Sequence, residues 1–361
     1  MTRADRLALL AVLAAGVFLA GLELMITAVA LPSILEGLAS WTQLRHASWI
    51  VNGYLLVYVV AMPLAGRLSD IYGARRLFLG ALAAFTVGAL LCGVAQTLDQ
   101  LIAARLVQAV GGGALVPVAT AAASHLFTGR ERPRALGLVS ALTFLGMAAG
   151  PFAGAAILEI LDPGAALAAA GIVSGPAVDL LAPAWRWIFY LDVPIGIAAL
   201  ALGWAASTGW ETPRIAGRVD IAGAVLFSGS LAALIAGVTL TDDDLGRRLF
   251  DPTYPPVALM AGGVIMGVVA VAVALRRSHP FVDPRLFARP TLAAASLVAL
   301  LTGYALATAI VGGAVFVDRV LYGGPDAQRV VLGALAASTA AAALLAGFLV
   351  HRLSARVVTV G

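Results

Sequence analysis

Two ionisable residues interrupt apolar runs where nothing polar is expected. Glu23 lies in LALLAVLAAGVFLAGLELMITAVAL (7–31), and Arg105 lies in LIAARLVQAVGGGALVPVA (101–119). Charges in hydrocarbon are costly and mark functional positions by default. At 1.5 Å per residue, Glu23 stands ~24 Å along its helix from Leu7. Arg105 enters its own run about one turn from the end, at a similar depth, so the two can pair directly or through water. An apolar site favours the neutral carboxyl and a nearby guanidinium favours the ionised one. Joining and separating such a pair would therefore release and take up a proton. A static structural ion pair is the alternative. Asp318, which closes a later run (AVFVDRVLYGG), is a second candidate for protonation or gating, or else a solvated helix end.

Other chemistries find no support in the residues. No nucleophile, base and orienter occur together, and no cofactor motif appears, so an enzyme is not expected. Cys92 is the only cysteine and lies in an apolar run, which leaves neither a disulfide nor a Cys–metal site. The triple glycine at 111–113 lacks the strand and the Lys-Ser/Thr of a phosphate loop. The acidic stretch TDDDLGRRLFDPT (241–253) lacks calcium-ligand spacing and reads as a solvated loop. Cofactors, metals and nucleic acid are accordingly not expected.

The elements that must carry Glu23 and Arg105 follow from composition. The chain is 61% hydrophobic and only 12% charged, with a mean hydropathy of +0.98. Soluble domains carry about 25% charged residues. Apolar runs of about 20 residues, each long enough to cross hydrocarbon, recur along nearly the whole length. They predict ten spans, at about 7–31, 47–66, 77–96, 101–123, 135–158, 187–206, 220–240, 255–275, 291–317 and 330–350. A β-barrel would alternate in ten-residue segments instead. The first run is too long for a signal peptide and is read as a retained helix. Residues 159–185 are apolar but broken by three prolines, which predicts a surface-lying segment and not an eleventh span. With the N-terminus in the cytoplasm, sixteen arginines fall in cytoplasmic loops against five outside, the orientation that the positive-inside rule selects.

A charged turn, GRLSDIYGARR (66–76), then lies on the cytoplasmic side between the second and third spans. Gly66 and Gly73 are expected to permit close helix approach and a tight turn. Asp70 can cap the next helix and meet Arg75 or Arg76. A worn copy recurs 281 residues later, where Gly347, Leu349, Ala355 and Arg356 repeat Gly66, Leu68, Ala74 and Arg75. Internal repeats of this kind build many transporters. The repeat divides the chain into a six-helix half (1–207), an inserted two-helix segment (208–278) and the start of a second half (279–361). Four further helices are expected by repeat logic, so the chain reads as a truncated 14-helix protein. Gly146, Gly150 and Gly154 share one helix face suited to close packing, and Pro151 adds a kink point. Asn52, Tyr54, Gln108, Thr143, Phe144 and Tyr304 are polar or aromatic positions in spans and candidates to line a cavity.

These motifs resemble the major facilitator superfamily, and within it the 14-helix drug:proton antiporter branch. GRLSDIYGARR is similar to the superfamily's helix 2–3 signature, LIAARLVQAVGGGALVPVA to its helix 4 motif with Arg105, and LGMAAGPFAGAA (145–156) to the helix 5 antiporter motif. LELMITAVALPSI (22–34) resembles the helix 1 motif, and WRWIFYLDVPIGI (185–197) resembles the start of helix 6. Departures include Glu23 for aspartate, Ala28 for asparagine, and Asp192 where a neutral asparagine is common. The resemblance implies an all-α polytopic membrane protein of the major facilitator fold, with about ten transmembrane helices of an expected fourteen. It implies a monomer in the bacterial inner membrane that exports small amphipathic molecules in exchange for protons. It also implies that the 66–76 cluster latches the outward-facing state, and that the Gly146–Gly154 seam lies between the two halves and moves. A lipid or glycolipid exporter of the same branch, and a non-transporting fragment or scaffold, are the rival readings.

Overall fold

The computed structural model describes residues 2–38, 43–207, 210, 220–241, 254–278, 280–322 and 325–349. All regular structure among them is helical. Helix α1 (Arg3–Leu38) begins at a reciprocal cap: the Thr2 amide donates to Asp5 and the Asp5 amide donates to the Thr2 hydroxyl. A short helix α2 (Leu44–Ala47) leads into α3 (Trp49–Tyr72). Gly73, at φ 92°, is the whole connection to α4 (Ala74–Val94), a left-handed position that glycine adopts without steric cost. Thr97 caps α5 (Leu98–Leu126) by accepting from the Gln100 amide, and α6 (Glu131–Ile160) follows.

The segment after α6 holds only two short, largely exposed helices, α7 (Pro163–Ala169) and α8 (Pro176–Leu181), so it lies on the surface as expected. Helix α9 (Ala184–Ala206) completes the first six long helices. Helices α10 (Ile221–Thr239) and α11 (Pro255–Arg276) pack on each other, and α10 also touches α3. A 3₁₀ turn (Pro284–Ala288) precedes α12 (Pro290–Arg319) and α13 (Pro325–Leu349). Eight of these helices are long and apolar enough to cross a membrane. The ninth and tenth expected spans coincide with α12 and α13, in which the described apolar stretches, Pro290–Ala305 and Gly333–Ala346, are shorter. The acidic loop at 242–253 and the second repeat copy beyond Leu349 lie outside the described residues.

Two apolar cores stack along the first six long helices. The lower joins Leu9, Leu13 and Val17 of α1 to Phe78 and Phe85 of α4, Leu115 and Val118 of α5, and Ala199 of α9. The upper joins Ile26 and Ile34 of α1 to Ile50 of α3, Leu101 of α5, and Trp185, Ile188 and Phe189 of α9. Between them four of these helices carry buried polar residues: Glu23 on α1, Tyr54 on α3, Arg105 and Gln108 on α5, and Asp192 on α9. The polar groups therefore share a waist sealed above and below by hydrocarbon side chains.

Glycines bring these backbones close enough to bury charge. A β-carbon at Gly150 would meet the Leu22 carbonyl oxygen at 2.7 Å and the Ile26 amide at 3.0 Å, and Gly146 and Gly154 abut Phe18 and Ile26 in the same way. The Gly146–Gly154 seam is thus a contact between α6 and α1. It lies inside the first six-helix group and not between two halves, because the small face of α6 turns inward. The other side of α6 carries Phe152, which meets Gly333 of α13. The triple glycine also works through packing: Gly111 abuts α4 at Ala81 and Phe85, while Gly112 and Gly113 abut Tyr54 and Tyr58 of α3. Gly66 behaves otherwise, since a β-carbon there meets nothing within 4 Å, so it allows no close approach.

Substitution at these two kinds of glycine should therefore diverge. Gly150→Ala forces α1 away from α6 and should cost about 1–3 kcal/mol, the usual range for overpacking. Gly66→Ala, in an open helical position, should be neutral or gain up to about 1 kcal/mol. Thermal unfolding of both variants in one detergent measures the contrast, and equal melting temperatures would contradict it.

Candidate functional site

The Arg105 guanidinium, 1% exposed, is the centre of the waist. Its Nη1 donates to Glu23 Oε1 and, at 2.7 Å, to Gln108 Oε1, while Nε donates to the Ile50 carbonyl at 3.3 Å. The guanidinium carbon lies 3.9 Å from the centre of the Tyr54 ring and 5.8 Å from that of Phe189. Stacking on an aromatic face replaces part of the lost hydration, and a planar cation does this where an ammonium would not. Glu23 is fully buried and accepts a second hydrogen bond, from Thr27 Oγ1 at 3.0 Å one helical turn away. Cys92 donates its thiol to Gln108 at 3.6 Å, so α4 also reaches the cluster.

Asp192 is the member that sequence reasoning passed over. Glu23 and Arg105 stand out as the deepest charges, yet Asp192 is 3% exposed and stands about one turn from Phe189, whose ring lies 5.8 Å from the Arg105 guanidinium. The signal was available: an acidic residue inside a predicted span is a functional candidate by default. It was noted only as a departure from asparagine. Arg186 is also buried, and its guanidinium donates to the Gly93 and Ala95 carbonyls at 2.7 and 2.5 Å. A cation there satisfies the C-terminal end of α4. The Tyr190 hydroxyl shares the Gly93 carbonyl at 2.7 Å.

The remaining expected residues are dispersed. Tyr54 and Gln108 belong to the cluster. Thr143 bonds back to the Val139 carbonyl within α6, and its own carbonyl faces Gly21 of α1. Asn52 and Phe144 are half-buried, and Tyr304 stands exposed on α12. The side chain of Asp318 lies outside those described. In the 66–76 turn Asp70 neither caps α4, whose N-cap Gly73 has no side-chain bond, nor pairs with an arginine among the described residues. Arg75 instead donates to Ser207 at 2.9 Å, tying the start of α4 to the end of α9, and Arg76 is exposed. The reason is geometric. Gly73 turns the chain so sharply that Asp70 and Arg75 leave from separate helix ends.

Removing the cation from this site strands buried carboxyls. Arg105→Ala should destabilise the protein by about 3–5 kcal/mol, the range for breaking a buried pair from one side. Arg105→Lys should recover only part of that, because an ammonium cannot both fork and stack. Adding Glu23→Gln to Arg105→Ala should restore stability in part. Thermal unfolding of the three variants tests this order, and an Arg105→Ala protein as stable as the parent would overturn it.

The sequence profile of the Major Facilitator Superfamily matches residues 13–361. The chain is 28% identical over 292 residues to multidrug resistance protein 3 of Bacillus subtilis, covering 80% of this chain and 50% of that protein. It is 30% identical over 326 residues to a triacylglyceride transporter of Mycolicibacterium hassiacum, covering 88% and 55%. It is 32% identical over 289 residues to the cephamycin export protein CmcT of Amycolatopsis lactamdurans, covering 79% and 54%. The chain thus spans about half the length of these curated relatives. Its fold is shared with a bacterial homologue of the human lysosomal transporter Spinster, at a TM-score of 0.51 and 18% identity over 99% of this chain and 78% of that one. A profile matching from the first helix to the last residue, and relatives that are transporters and not enzymes, lead to one conclusion: this chain belongs to the Major Facilitator Superfamily.

Proposed function

We propose that this protein exports small amphipathic molecules from a bacterial cell in exchange for protons, with Glu23 carrying the proton and Arg105 as its counter-ion. The observation that carries the reading is the buried Glu23–Arg105 pair at the waist between two apolar cores. An intramembrane pair on two different helices can be joined in one arrangement of those helices and parted in another, and each arrangement has its own preference for H⁺. Relatives that bear the names of a multidrug resistance protein and a cephamycin exporter support the direction and the substrate class. The N-terminus and the 66–76 turn are assigned to the cytoplasm, and Asp318 is a second candidate for protonation. We assign α10 and α11 to an insertion between a first half ending near 207 and a second beginning near 279. That pair has its own clasp: Asp220 caps α10 through the Gly223 amide and accepts from Arg277 at 2.5 Å.

A lipid-exporting reading has separate support. Ile160, Leu161, Ala166, Leu167, Leu181 and Trp187 line an apolar groove of about 400 Å³ beside the surface-lying α7 and α8. One relative is named a triacylglyceride transporter. A groove at that end suits an acyl chain leaving the bilayer.

Reconstitution in proteoliposomes tests the coupling. Glu23→Gln should abolish efflux driven by a proton gradient, to the level of empty vesicles, while binding of neutral substrates persists because the amide mimics the protonated acid. Efflux by Glu23→Gln with a normal dependence on the gradient would remove Glu23 from the mechanism. Parallel assays with a fluorescent amphipathic cation and a labelled triacylglycerol separate the two substrate readings. No flux of either would favour a non-transporting scaffold.

The 66–76 turn is assigned a latch role, on the support of the Gly73 turn and the Arg75–Ser207 bond. Asp70→Asn should lower turnover without changing membrane insertion. Unchanged turnover would leave the turn a topological signal only.

A further inference from the structure

We propose that Glu23 and Asp192 form a single proton-binding site, in which one proton is held between the two carboxyls while Arg105 neutralises the remaining negative charge. The two carboxyls come from different helices, α1 and α9, which pack on each other, and Asp192 stands about one turn from Phe189, whose ring lies 5.8 Å from the Arg105 guanidinium that holds Glu23. Both are buried, at 0% and 3% exposure. Glu23 Oε1 is satisfied by Arg105 and Thr27, whereas Glu23 Oε2 and Asp192 Oδ2 receive no donor from the described residues. Two ionised carboxylates are acceptors only, so neither can offer the other's bare oxygen the hydrogen it lacks. A proton on either carboxyl supplies it.

Charge counting leads to the same place. Arg105 contributes one positive charge that cannot be given up, and the two acids contribute two negative charges if both are ionised. One proton makes the cluster neutral, which an environment sealed by hydrocarbon strongly favours. Among the described residues, the titratable groups of this cluster besides the two acids are Arg105 from α5, Tyr54 from α3 and Cys92 from α4. Helix α6, packed on both α1 and α9, carries no titratable residue between Arg134 and Glu159. None of these supplies a second positive charge.

An amide at position 192 would donate a permanent N–H to Glu23 and need no proton. An acid in that place turns a fixed donor into one that can be discharged. Because the pair bridges α1 and α9, any movement that separates these helices ends the sharing and leaves the proton on one carboxyl only. Two acids that share a site titrate as a unit, so the proton belongs to the pair and not to Glu23 alone.

The functional half of this inference rests on the proton-coupled reading above, but the resident proton can be detected without transport. Infrared difference spectroscopy of the protein in lipid nanodiscs at neutral pH should show a protonated-carboxyl C=O band that shifts on exchange into D₂O. Asp192→Asn should remove it, and Glu23→Gln should remove it too, since the carboxylate left in each case balances Arg105. In Arg105→Ala, if that variant folds, both acids need protons and the band should grow about twofold. A parent protein without the band, or a band unchanged by Asp192→Asn, overturns the shared site. A band with this behaviour in a protein that shows no gradient-driven efflux retains the site and removes the coupling. Efflux that depends on Glu23 with a band indifferent to Asp192 retains the coupling and removes the pair.

Discussion

A guanidinium held inside hydrocarbon is the constraint on which the first six long helices depend. Arginine stays charged, so its hydration must be replaced in full by the protein around it. At Arg105 the replacement comes from every side: a carboxylate on α1, a carbonyl and an aromatic face on α3, an amide on its own helix, and a second aromatic ring on α9. No single helix could supply these. The four helices therefore have to converge at one level, and the apolar cores above and below that level hold them there.

Convergence of this kind requires thin helices. The long side chains at the waist occupy space that neighbouring backbones must give back, and glycine is the residue that gives it. Gly88 lies directly against the Gln108 backbone, Gly112 against Tyr54, and Gly146 and Gly150 against the stretch of α1 just before and after Glu23. In lipid there is little hydrophobic drive between helices, so such close contact supplies the association that water would otherwise enforce. Stability and function meet at the same residues: the glycines that let α1 and α6 touch also set where Glu23 stands.

The features legible in the sequence are local ones. The apolar runs, the surface-lying segment after α6, the tight turn at Gly73 and the intramembrane Glu23 and Arg105 were legible, since each is a property of a run of residues or of one residue in such a run. The partner relationships were less so. Asp70 and Arg75 are close in sequence but are separated by the turn, and Arg75 finds Ser207, 132 positions away. Gly146, Gly150 and Gly154 were recognised as a packing face, yet a periodic face does not say which helix it meets. Asp192 was visible as an acid in a span, but its weight comes from being buried near the cluster that holds Glu23, 169 positions earlier in the chain.

By itself, then, the sequence determined the class of protein, the placement of its helices, and the two charges whose burial demands an explanation. These follow from hydropathy and periodicity, which are summed along the chain. Only the tertiary structure decided that the glycine seam of α6 faces α1, that the Gly73 turn parts Asp70 from Arg75, and that Asp192 is buried at the level of the Glu23–Arg105 pair. Those outcomes depend on how helices rotate about their axes and at what height they cross. Side-chain volume and the need to satisfy one buried cation set that rotation and height, and both act between segments that are far apart in the chain.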